Sequence, residues 1–226
     1  MVRYYPLRTR LAKLPGLLGT DMLKIFGRPN SANVQKVLWT CAELDLPYER
    51  IDAGLEFGVN DTPQYRAMNP MGLVPTIVDD GFVLWESNAC VRYLAAKHGL
   101  GTLCPADLRV RADAERWMDW AHTLTFTISP MFWGLVRTPP ERRDLALIEE
   151  KRGAAERLFA MLDANLKNRA YVAGDRLTIG DIPFAAHVYR WFNLAIERPD
   201  LPHLKAWYER LVAREPYCKI VMIPIT

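Results

Sequence analysis

The sequence lacks long apolar runs, a dominant charge and paired cysteines. No stretch approaches the roughly 20 apolar residues that cross a bilayer, so no membrane partner is expected. The 29 basic and 26 acidic residues are interleaved and give a formal charge of +3, which disfavours nucleic acid as a partner. The four cysteines form no CxxC pair and are typical of free thiols in a reducing compartment. We therefore expect a cytoplasmic protein with a small-molecule partner.

Signature motifs of several enzyme classes are also missing. The chain contains no GxGxxG, GxxxxGK[ST], HExxH or GxSxG, which disfavours dinucleotide, P-loop, zinc-protease and hydrolase chemistry. The four histidines show no metal-ligand spacing. No metal site is expected.

The length of 226 residues, half of them apolar, favours two compact units that share an interface. Residues 1–21 are basic, and their short apolar run is broken by Pro15 and Gly16. Because this segment has neither a signal-peptide core nor a cleavage site, we expect a flexible N-terminal extension, with the fold opening at Met22.

Residues 22–101 predict an α/β unit in the order βαβαββα. A strand, a helix and a second strand form a βαβ unit, and a short helix precedes two strands joined by a hairpin turn at Asp79, Asp80 and Gly81. A helix from Ser87 to the terminator Gly99 closes the unit. The other predicted elements are strands Leu23–Gly27 and Tyr48–Ala53, helices Val34–Leu44 and Gln64–Met68, and strands at TIV and FVLW within Val74–Trp85.

From Asp107 onward the apolar spacing is helical and no strand alternation returns. The change near Gly101–Pro105 predicts a boundary between a first domain at 22–101 and an all-helical second domain at 106–226. The helical patterns cover Leu108–Ile128, Glu141–Leu166, Ile179–Trp191 and Leu204–Ala213.

One segment is specific enough to suggest a family. Asn69-Pro70-Met71-Gly72-Leu73-Val74-Pro75-Thr76 is followed, after a fixed spacing, by Glu86-Ser87. With these residues the chain resembles glutathione transferases from Met22 to its end, which implies a thioredoxin-like first domain. A proline that opens a strand has no N–H for the ladder. The resemblance implies a cis Val74–Pro75 bond, with the Val74 backbone pairing to the cysteinyl unit of glutathione.

Glu86 and Ser87 lie where a strand leads into a helix, and free N–H groups with the helix dipole favour an anion there. The γ-glutamyl end of glutathione carries a carboxylate and an ammonium. Ser87 with the helix amides suits the carboxylate, and Glu86 suits the ammonium.

The catalytic candidates are Ser31 and Asn33, at the start of the first helix. A free cysteine thiol has a pKa of about 8.5, so the protein must favour the thiolate of glutathione. No Tyr or Cys lies between Leu23 and Lys36, so the chain resembles the serine-type, theta-like classes. It also resembles nu-like bacterial members with an asparagine two residues later. The sequence leaves Ser31 and Asn33 as alternatives.

One position departs from the family. A basic or polar residue often precedes the Val-Pro pair and contacts the glycine end of glutathione, but here that residue is Leu73. Arg28, Lys36 and Arg66 are the candidates to replace it.

The second domain contains a capping motif and an aromatic stripe. Thr178 and Asp181 predict a box that satisfies free helix N–H groups, which is a folding element. In the family the first long helix lines the second-substrate pocket, although such stripes are usually core. The aromatic set is Trp117, Trp120, Phe126, Phe132 and Trp133.

Together these features predict a glutathione transferase that uses glutathione as cosubstrate and conjugates its thiolate to a small hydrophobic electrophile. A glutathione-dependent disulfide reductase and a non-catalytic glutathione-binding protein remain alternatives. The resemblance also implies a homodimer.

Overall fold

The computed structural model describes residues 22–226, so the extension predicted for residues 1–21 lies outside the described residues. Residues 22–226 form four strands and eight α-helices. The strands are β1 (Leu23–Phe26), β2 (Tyr48–Ile51), β3 (Thr76–Asp79) and β4 (Phe82–Trp85). The helices are α1 (Ala32–Glu43), α2 (Pro63–Met68), α3 (Ser87–His98), α4 (Leu108–Phe132), α5 (Leu145–Leu166), α6 (Ala185–Asn193), α7 (Pro202–Val212) and α8 (Glu215–Val221).

The strands form one mixed sheet in the order β2-β1-β3-β4. The crossover through α1 makes β1 and β2 parallel, whereas β3 is antiparallel to both β1 and β4. The hairpin turn contains Asp80 and Gly81, both with positive φ, as a tight two-residue turn requires. The predicted class, a thioredoxin-like α/β unit followed by helices, is confirmed.

Helix α1 is the centre of the molecule. Residues Val34 to Cys41 are all buried, which is unusual for a surface helix with one apolar stripe. One side packs on the sheet and α3, and the other faces α6 and α8. Trp39 meets Tyr217 edge to face at 5.2 Å, and Glu43 pairs with Arg214 at 2.5 Å. The two halves of the chain therefore share α1 as a common core element.

The helical half is built around the pairing of α4 with α5, against which α7 also packs. The carboxylate of Asp181 is buried in this half and accepts hydrogen bonds from Val172 N, Thr178 N and Trp207 Nε1, each at 2.9 Å. Asp181 therefore joins the loop before α6 to α7.

The largest differences from the sequence prediction lie in the helical half. The helix predicted over Ile179–Trp191 begins only at Ala185, because Asp181 holds residues 178–181 in a turn and Pro183 follows in a 3₁₀ turn. The helix predicted from Glu141 begins at Leu145, where Asp144 caps it. Helix α8 was not predicted. No helix between residues 22 and 226 is long and apolar enough to span a membrane.

Candidate active site

A narrow cleft with a cavity volume of about 130 Å³ separates the first turn of α1 from the end of α4. Ser31 and Asn33 line one wall, and Phe132 and Trp133 line the other. The two candidate catalytic residues thus share one cleft with the helical half.

Ser31 is the N-cap of α1, with extended backbone angles. Its Oγ accepts a long hydrogen bond of 3.5 Å from Val34 N. Because the oxygen is the acceptor in this cap, the hydroxyl proton remains available to donate. A sulfur atom in the cleft would face this proton and the positive end of α1.

A hydrogen bond between Asn33 and Ser87 connects the start of α1 to the start of α3. Ser87 Oγ donates to Asn33 Oδ1 at 3.3 Å and accepts from Lys36 Nζ at 3.4 Å. Within residues 22–226 the Nδ2 amide of Asn33 has no hydrogen-bond partner, so it too can donate into the cleft. The geometry therefore provides two donors and keeps Ser31 and Asn33 as joint candidates.

Lys36 is buried below Ser87, with 2% of its surface exposed. Burial lowers the pKa of its ammonium to about 8, and the opposing attraction of Glu86 is smaller. No carboxylate in the described part of the chain lies within ion-pair distance of Lys36. A buried cation of this kind is costly unless a bound anion balances it.

Glu86 precedes α3 and has φ 71° and ψ 109°, a strained conformation for a residue with a side chain. Such strain costs about 1–3 kcal/mol and is concentrated at functional sites. Its exposed carboxylate makes no hydrogen bond or ion pair with residues 22–226, and no side chain caps α3. The helix start therefore presents free N–H groups beside a free carboxylate.

The Val74–Pro75 peptide bond is cis, as the family resemblance implied. The preceding residue is fixed, because the Leu73 carbonyl accepts from Tyr65 Oη at 2.7 Å and from Asn69 Nδ2 at 2.8 Å. By contrast, the Val74 N–H and carbonyl make no hydrogen bond within the described chain. A rigid backbone with unpaired groups can receive an extended peptide as an added strand.

Of the three basic candidates for the glycine end, only Arg28 is both unpaired and close to Val74. Arg66 pairs with Asp61 at 2.8 Å, and Lys36 lies at Ser87. A Cβ atom on Gly54 would stand 2.9 Å from Arg28 Nη1 and 3.4 Å from Val74 Cγ2. A side chain at this position would therefore displace Arg28. Arg28 Nε is buried without a partner.

The aromatic stripe of α4 divides between core and cleft. Trp117 and Trp120 stack edge to face at 5.1 Å and pack with Phe184, away from the cleft, and Phe126 is 75% exposed. Only Phe132 and Trp133 reach the cleft.

Sequence reasoning missed two further residues of the cleft. Arg137, from the π-helical turn after α4, and Arg190, from α6, both line it. No motif marks either residue, and the contact between α4 and α6 brings them together at Phe132.

The cysteines do not supply the reactive thiol. All four are free, and burial raises the pKa of both Cys41 and Cys90 to about 12. These thiols stay protonated near neutral pH and pack as small apolar side chains, as predicted.

Comparisons with known proteins agree with this geometry. Residues 30–97 match the model of the glutathione S-transferase N-terminal domain, and residues 120–215 match that of the glutathione S-transferase C-terminal domain. Glutathione S-transferase GstB of Escherichia coli strain K12 is 47% identical over 208 residues, covering 91% of this chain and 100% of the relative. The chain belongs to the glutathione S-transferase family.

More distant relatives and a solved structure extend the match. Glutathione S-transferase 3 of Zea mays is 32% identical over 88% of this chain and 93% of its own length. The theta class glutathione S-transferase of Xanthomonas axonopodis pv. citri, solved with glutathione bound, is 47% identical. The match covers 92% of this chain and 100% of the solved chain, with a TM-score of 0.89. The predicted family, fold and enzyme class are confirmed, and glutathione is the cosubstrate.

Proposed function

We propose that this transferase ionises glutathione at Ser31 and Asn33 and directs the thiolate at a small electrophile held against the end of α4. The observation that carries the proposal is a set of unpaired groups in and beside one cleft. Ser31 and Asn33 line the cleft, Ser87 next to Glu86 donates to Asn33, and Arg28 in the lining lies close to Val74. The hydroxyl proton of Ser31, the Asn33 amide, the Val74 backbone and the Glu86 carboxylate all lack a partner among residues 22–226.

The peptide of glutathione binds along Val74. Its cysteinyl N–H and carbonyl pair with the Val74 carbonyl and N–H, as in an added antiparallel strand. The backbone is held in place by the bonds of Leu73 to Tyr65 and Asn69, so little ordering is required on binding.

The γ-glutamyl end binds at the start of α3. Its carboxylate accepts from the free amides of the first turn and from the Ser87 hydroxyl, which rotates away from Asn33 on binding. The buried ammonium of Lys36 balances its charge. Its ammonium pairs with the Glu86 carboxylate. Lys36 thus supplies part of the anion site, although it was considered for the other end of the peptide.

The glycine carboxylate pairs with Arg28. Arg28 then takes the role of the basic or polar residue that many family members carry at the position of Leu73. The Leu73 side chain itself is apolar and 60% exposed. The unpartnered Nε of Arg28 and its position over Gly54, next to Val74, support this assignment.

Ionisation is the central chemical step. A thiol with a pKa of about 8.5 is only a few per cent ionised at neutral pH, and each unit of lowering raises that fraction almost tenfold. Donors from Ser31 and Asn33, with the positive end of α1, favour the thiolate over the thiol. The thiolate then forms a C–S bond as the leaving group departs with its electron pair.

We also propose the domain ranges 22–101 and 106–226, a cytoplasmic location and a homodimer, with no nucleic acid or membrane partner. Exposed apolar side chains support the dimer, since Leu108 and Phe126 on α4 are 77% and 75% exposed in the single chain. Sedimentation of the purified protein tests the dimer, and a monomer at micromolar concentration would contradict it.

The test of the ionisation step compares Ser31→Ala and Asn33→Ala over a range of pH. At least one variant should raise the apparent thiol pKa by about one unit and slow conjugation of a haloarene about tenfold near neutral pH. Above the thiol pKa the rates should converge, because ionisation no longer limits them. Thr127→Ala is the control, since its hydroxyl bonds to the Thr123 carbonyl outside the cleft.

Three outcomes would contradict the proposal. Unchanged pH profiles in both variants would remove Ser31 and Asn33 from the ionisation step. Turnover of hydroxyethyl disulfide without turnover of a haloarene would favour the disulfide reductase, and retention on glutathione resin without either activity would favour a binding protein.

A further inference from the structure

The cleft carries positive charge that glutathione does not account for. Besides Arg28, two guanidinium groups line it, from Arg137 and Arg190, and none of its lining residues is acidic. No Asp or Glu between residues 22 and 226 lies within ion-pair distance of any of the three arginines. Arginines that line a cleft without an acidic side chain to pair with are typical of anion-binding sites.

Arg190 is nine-tenths buried and is held rather than mobile. Its Nη2 donates to the Asn30 carbonyl at 3.1 Å, and its Cζ lies 3.9 Å from the centre of the Phe132 ring. These contacts use a single N–H and one face of the guanidinium. The remaining donors are pre-positioned for a planar acceptor.

Arg137 contacts the same ring from the end of α4. Its Cζ lies 5.2 Å from the Phe132 ring centre and 4.7 Å from that of Trp133. Its Nε and Nη2 donate to the Thr226 backbone oxygen at 3.3 and 2.9 Å, which leaves Nη1 free. The Thr226 oxygen contacts Arg137 alone of this pair. Arg190 has no anionic partner among the described residues.

The arginines repel one another. Burial, followed by the charge of Arg137, lowers the pKa of Arg28 against a smaller opposing attraction from Glu56. Burial and the charges of both neighbours lower the pKa of Arg190 to about 10. Mutual repulsion of buried cations destabilises the empty cleft. Binding of one anion would relieve it.

The glycine carboxylate of glutathione does not satisfy this pair. Arg28 lies by Gly54 and Val74, at the peptide, whereas Arg137 and Arg190 lie across the cleft on elements of the helical half. A second anionic group is therefore needed on the helical side, where the second substrate binds.

We propose that Arg137 and Arg190 bind a carboxylate of the second substrate, so that this enzyme acts on small electrophiles that carry a negative charge. Short carboxylic acids with a leaving group beside the carboxylate are the substrate class. The glutathione sulfur forms a C–S bond at the carbon that loses halide, the halide leaves with the bonding electrons, and the thiol proton passes to solvent. Phe132 and Trp133 cover the carbon skeleton.

This inference rests on the proposed function but is testable without turnover. The probes are two conjugates that differ in one group, S-carboxymethylglutathione and S-carbamoylmethylglutathione. Titration calorimetry on the full-length protein should show the carboxymethyl compound binding at least about 10-fold tighter, as expected for charge-assisted hydrogen bonds. Initial rates with iodoacetate and iodoacetamide, corrected for the uncatalysed reaction, should show the same preference.

Substitutions test which arginines produce the preference for the carboxylate. Arg137→Gln should bring the affinity ratio of the two conjugates close to one and change the carbamoylmethyl affinity less than about twofold. Arg190→Lys, which keeps the charge at the more buried site, should retain part of the preference. Arg28→Gln should weaken both conjugates by the same factor, and Arg157→Gln, exposed on α5, should change neither.

The outcomes separate the two proposals. Equal affinity for the two conjugates, or a ratio that Arg137→Gln leaves unchanged, would overturn the carboxylate site while the glutathione site stands. Failure of both conjugates and of glutathione itself to bind would overturn the proposed glutathione site.

Discussion

Replacement of Lys36 by methionine should make the empty enzyme more stable and at the same time impair it. The side chains are similar in length, but Met carries no charge into the buried position below Ser87. The fall in the Lys36 pKa from 10.5 to about 8 corresponds to about 3 kcal/mol, at 1.36 kcal/mol per unit. Loss of the hydrogen bond to Ser87 offsets about 1 kcal/mol. The free energy of unfolding at neutral pH should therefore rise by about 2 kcal/mol.

The stability difference between the wild type and Lys36→Met should depend on pH. Below the folded pKa of about 8, Lys36 is charged in both folded and unfolded chains, so its burial cost is complete. Between about 8 and 10.5 the folded protein binds fewer protons than the unfolded chain, and the stability of the wild type rises with pH. The advantage of Lys36→Met should therefore shrink as the pH approaches 10.5.

Urea unfolding followed by tryptophan fluorescence, at equal protein concentrations, measures these differences. Lys205→Met is the matched control, because Lys205 is exposed on α7 and should change stability by less than about 0.5 kcal/mol. Glutathione affinity of Lys36→Met should fall at least about 10-fold, since the γ-glutamyl carboxylate loses its buried counter-charge. A destabilised variant at neutral pH, or a gain that persists unchanged at high pH, would refute the reasoning.

Two other substitutions test separate parts of the structure. Arg28→Gln should raise the KM for glutathione about 10-fold with little change in kcat, because an ion pair to the glycine end contributes to binding in both ground and transition states. Steady-state kinetics measure this, and a fall in kcat alone would contradict it. Asp181→Ala should lower the free energy of unfolding by about 3 kcal/mol or more, because it leaves Val172 N, Thr178 N and Trp207 Nε1 buried without an acceptor. Chemical denaturation measures this loss, and a change below about 1 kcal/mol would contradict it.

The sequence predicted those features that depend on neighbouring residues. The hairpin at Asp80 and Gly81 and the start of α3 at Ser87 follow from local turn and cap chemistry. The Val74–Pro75 geometry was correctly expected from the family resemblance. These features define the peptide side of the cleft.

The features that sequence reasoning missed depend on contacts between distant segments. Arg137 and Arg190 meet at Phe132 because α6 packs on α4, and no spacing in the chain encodes that contact. The late start of α6 has a similar cause, since the Asp181 carboxylate also serves Val172 and Trp207. Helix α8 is short and was overlooked, although its Tyr217 packs on Trp39.

The burial of α1 on both sides restricts how this enzyme can change. One end of the helix carries Ser31 and Asn33, and the rest lies between the sheet and the helical half. A substitution in its middle turns alters two packed surfaces and tilts the two residues that we propose to ionise glutathione. The end of α4, by contrast, contacts the cleft and solvent. New substrate preferences should therefore arise through exchanges near Trp133 and Arg137, in laboratory selection as in natural divergence, while α1 stays nearly fixed.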